Sequence, residues 1–143
     1  MKKILLFSSG KICRAIIAET LLKKELNQFS NFDFYSSGTL YDELGIEETL
    51  TLLTAQKNDA TRPNIKLHDE ILDQKFDLIF LLFNFLTEKA TLPSCKGSMY
   101  YMGYQGKIDD LEYTYKNIEH KVVHKIKSLL IREFDLSLLG RPA

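Results

Sequence analysis

An α/β fold with an open parallel sheet of four strands and helices on both faces is what this 143-residue sequence predicts, on three observations. Apolar runs of strand length alternate with segments whose apolar residues recur every three or four positions. The first strand-like run, residues 4–7, is apolar throughout, the pattern of a strand buried on both faces of a parallel sheet. The alternation of strand and helix continues to the last helical segment without a repeat or a change of composition, so residues 1–134 read as one domain and 135–143 as a tail.

Residues 4–7, Ile-Leu-Leu-Phe, form the first predicted strand, closed by Ser8, Ser9 and Gly10. From Arg14 onward, Ile17, Ala18, Leu21, Leu22 and Leu26 make an apolar stripe opposite Lys23, Lys24 and Glu25, the signature of an amphipathic helix. Residues 32–35 read as strand two, halted by Ser36, Ser37, Gly38 and Thr39. Ile46, Leu50 and Leu53 mark a second helix, residues 58–64 a polar loop containing Pro63, and residues 69–72 a short helix. Residues 76–83 are the strongest strand, and 98–102 a weaker fourth. Leu111, Tyr115, Ile118, Val122, Ile126, Leu129 and Phe134 keep helical spacing over a long final helix, beyond which Leu136, Leu138 and Leu139 read as frayed or as docked on a neighbour. In a sheet of this kind ligands bind beyond the carboxyl ends of the strands, near the switch point. The turn after strand one is therefore the first place to look.

Hydrophobic residues make up 45% and charged residues 27%, enough to bury a core without covalent staples. Lys plus Arg and Asp plus Glu both number 19, which excludes a global field that would draw the chain to nucleic acid or an anionic membrane. Cys13 and Cys95 belong to no Cys-x-x-Cys pair and no zinc-spaced cluster, so a reducing cytoplasm is expected, with no metal and no cofactor. The apolar run behind Lys2 and Lys3 stops after four residues, as a strand does and an export signal does not. Residues 78–83 are too few to span a bilayer.

Ser8-Ser9-Gly10-Lys11-Ile12-Cys13-Arg14 places a turn, a cation and a helix start directly behind a buried strand. Unpaired N–H groups at a helix start, the helix dipole and a bidentate arginine together favour a phosphate-like anion. A plain strand-to-helix turn with Ser8 as a cap explains the same residue types equally well. A nucleotide P-loop does not fit, because Leu5 stands where its first glycine belongs and Ile12 where its Ser or Thr belongs.

Residues 2–19 resemble the amino-terminal signature of low-molecular-weight protein tyrosine phosphatases and thioredoxin-linked arsenate reductases, Cys-x-x-Gly-x-x-Cys-Arg-Ser-x-x-Ala-Glu after strand one. Gly10, Cys13, Arg14, Ala18 and Glu19 match it. The segment 35–39 is similar to the family's strand-two ending, 76–79 to its strand three and 102–104 to its strand-four exit, so the resemblance covers roughly residues 2–130, slightly closer to the arsenate reductase branch. It implies an oxyanion held by Ser9, Gly10, Lys11, Ile12, Cys13 and Arg14.

The same resemblance exposes four departures. Ser8 stands at the family's nucleophilic cysteine, and a serine hydroxyl needs an adjacent base, which the loop sequence lacks. Ala15 replaces the hydroxyl residue that supports the thiolate. Gln105, Gly106, Lys107 and Ile108 fill the place of the Asp-Pro general acid, leaving Asp109 and Asp110 as possible substitutes, although two carboxylates before Leu111 also read as a helix start. The redox cysteines of the reductases are missing from residues 83–90, and Cys95 reads as an ordinary loop thiol. One such change would suit an engineered Cys-to-Ser form; four suit a catalytically impaired relative that binds phosphate, arsenate or a phosphorylated residue, with Lys11 favouring a dianion. An enzyme of altered mechanism and a fold-only interaction module that forms homo-oligomers are the alternatives.

Overall fold

The computed structural model describes residues 2–26, 31–58, 63–82, 91–102 and 110–134. Four parallel strands form the main sheet in the order β2-β1-β4-β6: β1 (Lys2–Lys11), β2 (Phe32–Leu40), β4 (Leu78–Leu81) and β6 (Met99–Tyr101). The helices are α1 (Cys13–Glu25), α2 (Glu43–Ala55), α3 (His68–Ile71), α4 (Leu111–Asn117) and α5 (Val123–Phe134), with a π-helical turn (Ile118–Val122) joining the last two. This is the α/β class expected from the alternating pattern. A second sheet of two short strands, β3 (Lys75–Phe76) and β5 (Ser94–Cys95), was not expected, because two-residue strands carry no periodicity to read.

The central strands alternate between two cores. Ile4 and Leu6 of β1, with Leu78 and Phe80 of β4, face a large core shared with α1, α2, α5 and the π turn. Leu5, Phe7, Ile79 and Leu81 face a smaller one closed by Ile71 and Phe76. Since strand side chains alternate in direction, an all-apolar run is what two buried faces demand.

Two strand ends differ from expectation. Ser8 to Lys11 continue β1, with Ser8 opposite Gly38 and Lys11 opposite Leu40 across an irregular register. Ser36 to Leu40 likewise continue β2. Serine and glycine stop a strand only when nothing pairs with it, and here the two polar stretches pair with each other. The expected strand at 76–83 is divided, Phe76 joining the small sheet and 78–81 the large one. Phe83 and the segment to 90 lie outside the described residues, as does the tail. Among the described residues no helix is long and apolar enough to cross a membrane.

Candidate functional site

In the strand order β2-β1-β4-β6, β1 has β2 on one side and β4 on the other, so the switch point lies between β1 and β4. Arg14, in the first turn of α1, spans this crevice. Its Nη1 donates to the Leu82 carbonyl just past β4 at 2.7 Å, and its Nη2 to the Ser9 carbonyl of β1 at 2.9 Å. The side chain is only 6% exposed. Two carbonyls from neighbouring strands thus fix a guanidinium, charged at any physiological pH, beside the start of a helix.

Ser8 is wholly buried at the end of β1's apolar run. Its Oγ accepts the backbone N–H of Ala15 at 3.0 Å, although α1's own N-cap, Ile12, has no side chain able to do so. A cap supplied from seven residues away satisfies one of the donors that a helix start leaves open. The cap reading of Ser8 is thus realised, from the strand rather than from the helix itself. Cys13 points sideways: its Sγ donates to the Gly45 carbonyl of α2 at 3.6 Å, and a Cβ on Gly45 would lie 3.4 Å from that sulfur. Gly10 and Lys11 belong to β1 by their backbone.

Of the two acids considered as substitutes, Asp109 lies outside the described residues. Asp110 is the N-cap of α4, where its Oδ1 accepts the Tyr113 N–H at 3.0 Å. Cys95, in β5, has its thiol pKa raised, chiefly by burial, which lowers its thiolate fraction near neutral pH. Its sulfur lies within hydrogen-bond reach of the Asp77 and Ser98 carbonyls. His120 and His124 are exposed on the π turn and α5, and among the described residues no three metal-ligating side chains gather.

One matched residue has a role that the motif alone did not reveal. Glu19 is fully buried, and its carboxylate accepts the Ser36 hydroxyl at 2.6 Å, the Asn64 N–H at 2.7 Å and the Lys23 ammonium at 2.5 Å. It ties α1 to β2 and to the segment that runs beside it, where Ser36 also exchanges backbone hydrogen bonds with Asn64 and Lys66. The signal was present as two separate matched segments, around Glu19 and around Ser36; their contact is made only by the fold.

Beside α1's start, the end of β2 and residues 66–69 enclose a cleft of about 240 Å³ lined in part by Ile12, Thr39, Lys66 and His68.

This architecture is the arsenate reductase and low-molecular-weight phosphatase fold. It is similar to an arsenate reductase in its reduced state at TM-score 0.63 and 14% identity, over 92% of this chain and 98% of that one. A thioredoxin-dependent arsenate reductase from Corynebacterium glutamicum superposes at TM-score 0.64 and 16% identity, over 92% of this chain and 63% of that one. An arsenate reductase in a phosphate-binding state superposes at TM-score 0.59 and 15% identity, over 92% of this chain and 98% of that one. No family model and no curated protein sequence matches the chain.

Proposed function

We propose that the chain is a catalytically impaired member of this fold that binds a tetrahedral oxyanion (phosphate, arsenate or a phosphorylated residue) at the head of α1. The observation that carries the reading is Arg14, held across the β1/β4 switch point by carbonyls of both strands. A cation fixed in advance loses little freedom when an anion arrives, which favours binding. A solved arsenate reductase of the same fold in a phosphate-binding state supports oxyanion binding as such. The impairment rests on Ser8, a buried hydroxyl that caps α1, in the place where the resemblance puts a thiolate.

The test is thermal melting in the presence of phosphate, sulfate or arsenate. Ligand at 100 times its dissociation constant should stabilise the chain by about 2.7 kcal/mol. Arg14→Lys, which keeps the charge and loses the fork, should weaken binding at least about tenfold by calorimetry, consistent with one lost charge-assisted hydrogen bond. An unchanged Tm at saturating concentrations of all three anions would overturn the binding reading. Aryl phosphate turnover that disappears in Ser8→Ala would overturn the impairment.

A further inference from the structure

The cleft at the end of β2 has a rim unlike the rest of the surface. Leu40, Tyr41 and Leu67 line it; these three side chains are 45–53% exposed. Three of the eight large apolar side chains exposed among the described residues therefore line one opening. Such grouping marks an interaction surface, whereas single exposed apolar residues are ordinary. One exposed carboxylate, Asp69 of α3, stands in the lining, with His68 and Lys66. The matching occupant is an extended segment with closely spaced apolar side chains followed by a cation.

This chain carries one. Residues 136–141 read Leu-Ser-Leu-Leu-Gly-Arg, directly after α5. Reach favours a second copy over the chain's own tail. Phe134, the last residue of α5, packs on Phe32 at the start of β2, with ring centroids 5.7 Å apart, and Lys2 lies over its ring. The cleft is at the other end of the same nine-residue strand. At about 3.3 Å per residue that strand separates the two by about 26 Å. Leu139, five residues beyond Phe134, reaches at most about 18 Å in a fully extended chain.

We infer that the cleft at the end of β2 receives the apolar and basic segment 136–141 of a second copy of this chain. Leu138 and Leu139 would fill the apolar rim, and Arg141 would meet Asp69. Oxyanion binding at Arg14 is not required for this contact, so either reading stands or falls without the other.

Sedimentation of the full-length chain over a concentration series tests it. Self-association is expected, weakened at least tenfold by Leu67→Glu in the cleft and equally by Leu138→Glu with Leu139→Glu in the tail. The unassociated variants should melt as the wild-type monomer does, because the cleft residue changed is exposed. Charge reversal by Arg141→Glu should weaken association less than the leucine substitutions. A chain that stays monomeric to its solubility limit would overturn the inference, as would association that survives both sets of changes or responds to only one of them.

Discussion

Ser36 and Ser37 are adjacent in β2, and both are wholly buried, yet they occupy opposite faces of the sheet and opposite situations. Ser36 faces α1, donates to Glu19, and lies 3.1 Å from the Ala15 carbonyl. Ser37 is paired in register with Phe7 on the α3 face, and its hydroxyl has no hydrogen-bond partner among the described residues. The contrast extends across the whole of each face. On the α1 face long helices supply backbone carbonyls, helix starts and charged side chains, and the strand-end hydroxyls of Ser8 and Ser36 are both used. On the α3 face a four-residue helix and two-residue strands supply fewer such groups. A buried hydroxyl costs free energy unless it is paired, so the long helices do more than bury apolar area; they make polar strand ends tolerable.

Truncating one large ring on each face would break or sharpen this contrast most. Phe80 lies in the large core, stacked on Tyr100 with centroids 5.5 Å apart, and Phe80→Ala should cost about 3–5 kcal/mol. Phe76→Ala should fall at the lower end of the same range, about 3 kcal/mol, because its neighbours include the partly exposed Lys3 and Tyr35, whose long side chains can close over the gap. Urea unfolding of both variants gives the comparison. Equal losses would mean that the α3 face is packed as rigidly as the α1 face.

The sequence made the large face legible and the small one largely illegible, for a physical reason. Ile17, Leu21, Leu22, Val122, Ile126 and Leu129 repeat with the helix period because one continuous core selects them, and that period can be read. Ile71, Phe76 and Cys95 come from elements too short to show any period. At the candidate site, the residues 8–14 were legible from their types and spacing, including Ser8 as a cap. The partners of Arg14 were not, since a backbone carbonyl at Leu82 belongs to any residue and leaves no mark on composition. Nor was it legible that Ser8–Lys11 and Ser36–Leu40 extend their strands, because each polar stretch is stabilised only by the other.

A middle-sized effect is expected where the large face holds its charge. Ser36→Ala removes one donor from the buried Glu19 carboxylate while Asn64 N–H and Lys23 remain. Hydrogen bonds to charged groups contribute about 1.5–3 kcal/mol, so the variant should lose an amount in that range. Ser36→Thr, which keeps the hydroxyl, should recover part of it. A loss below the range would mean that the remaining donors of Glu19 close over the vacancy.

The smallest effect, and the one of opposite sign, belongs to Ser37. Its Oγ is buried without a partner among the described residues, so Ser37→Ala removes a desolvated hydroxyl and sacrifices no hydrogen bond seen there. The change in volume is one oxygen atom on a face whose neighbours include Phe7, leaving little cavity to oppose the gain. Since an unpaired buried hydroxyl costs about 1–3 kcal/mol on mutational scales and part of that is returned as lost packing, Ser37→Ala should be neutral to about 1 kcal/mol more stable. The two adjacent serine-to-alanine changes should then differ in sign in one denaturation experiment. A Ser37→Ala variant destabilised as much as Ser36→Ala would show that the hydroxyl has a partner in solution, an ordered water or a ligand entering from the cleft at the end of β2, and the asymmetry between the faces would reduce to one of size alone.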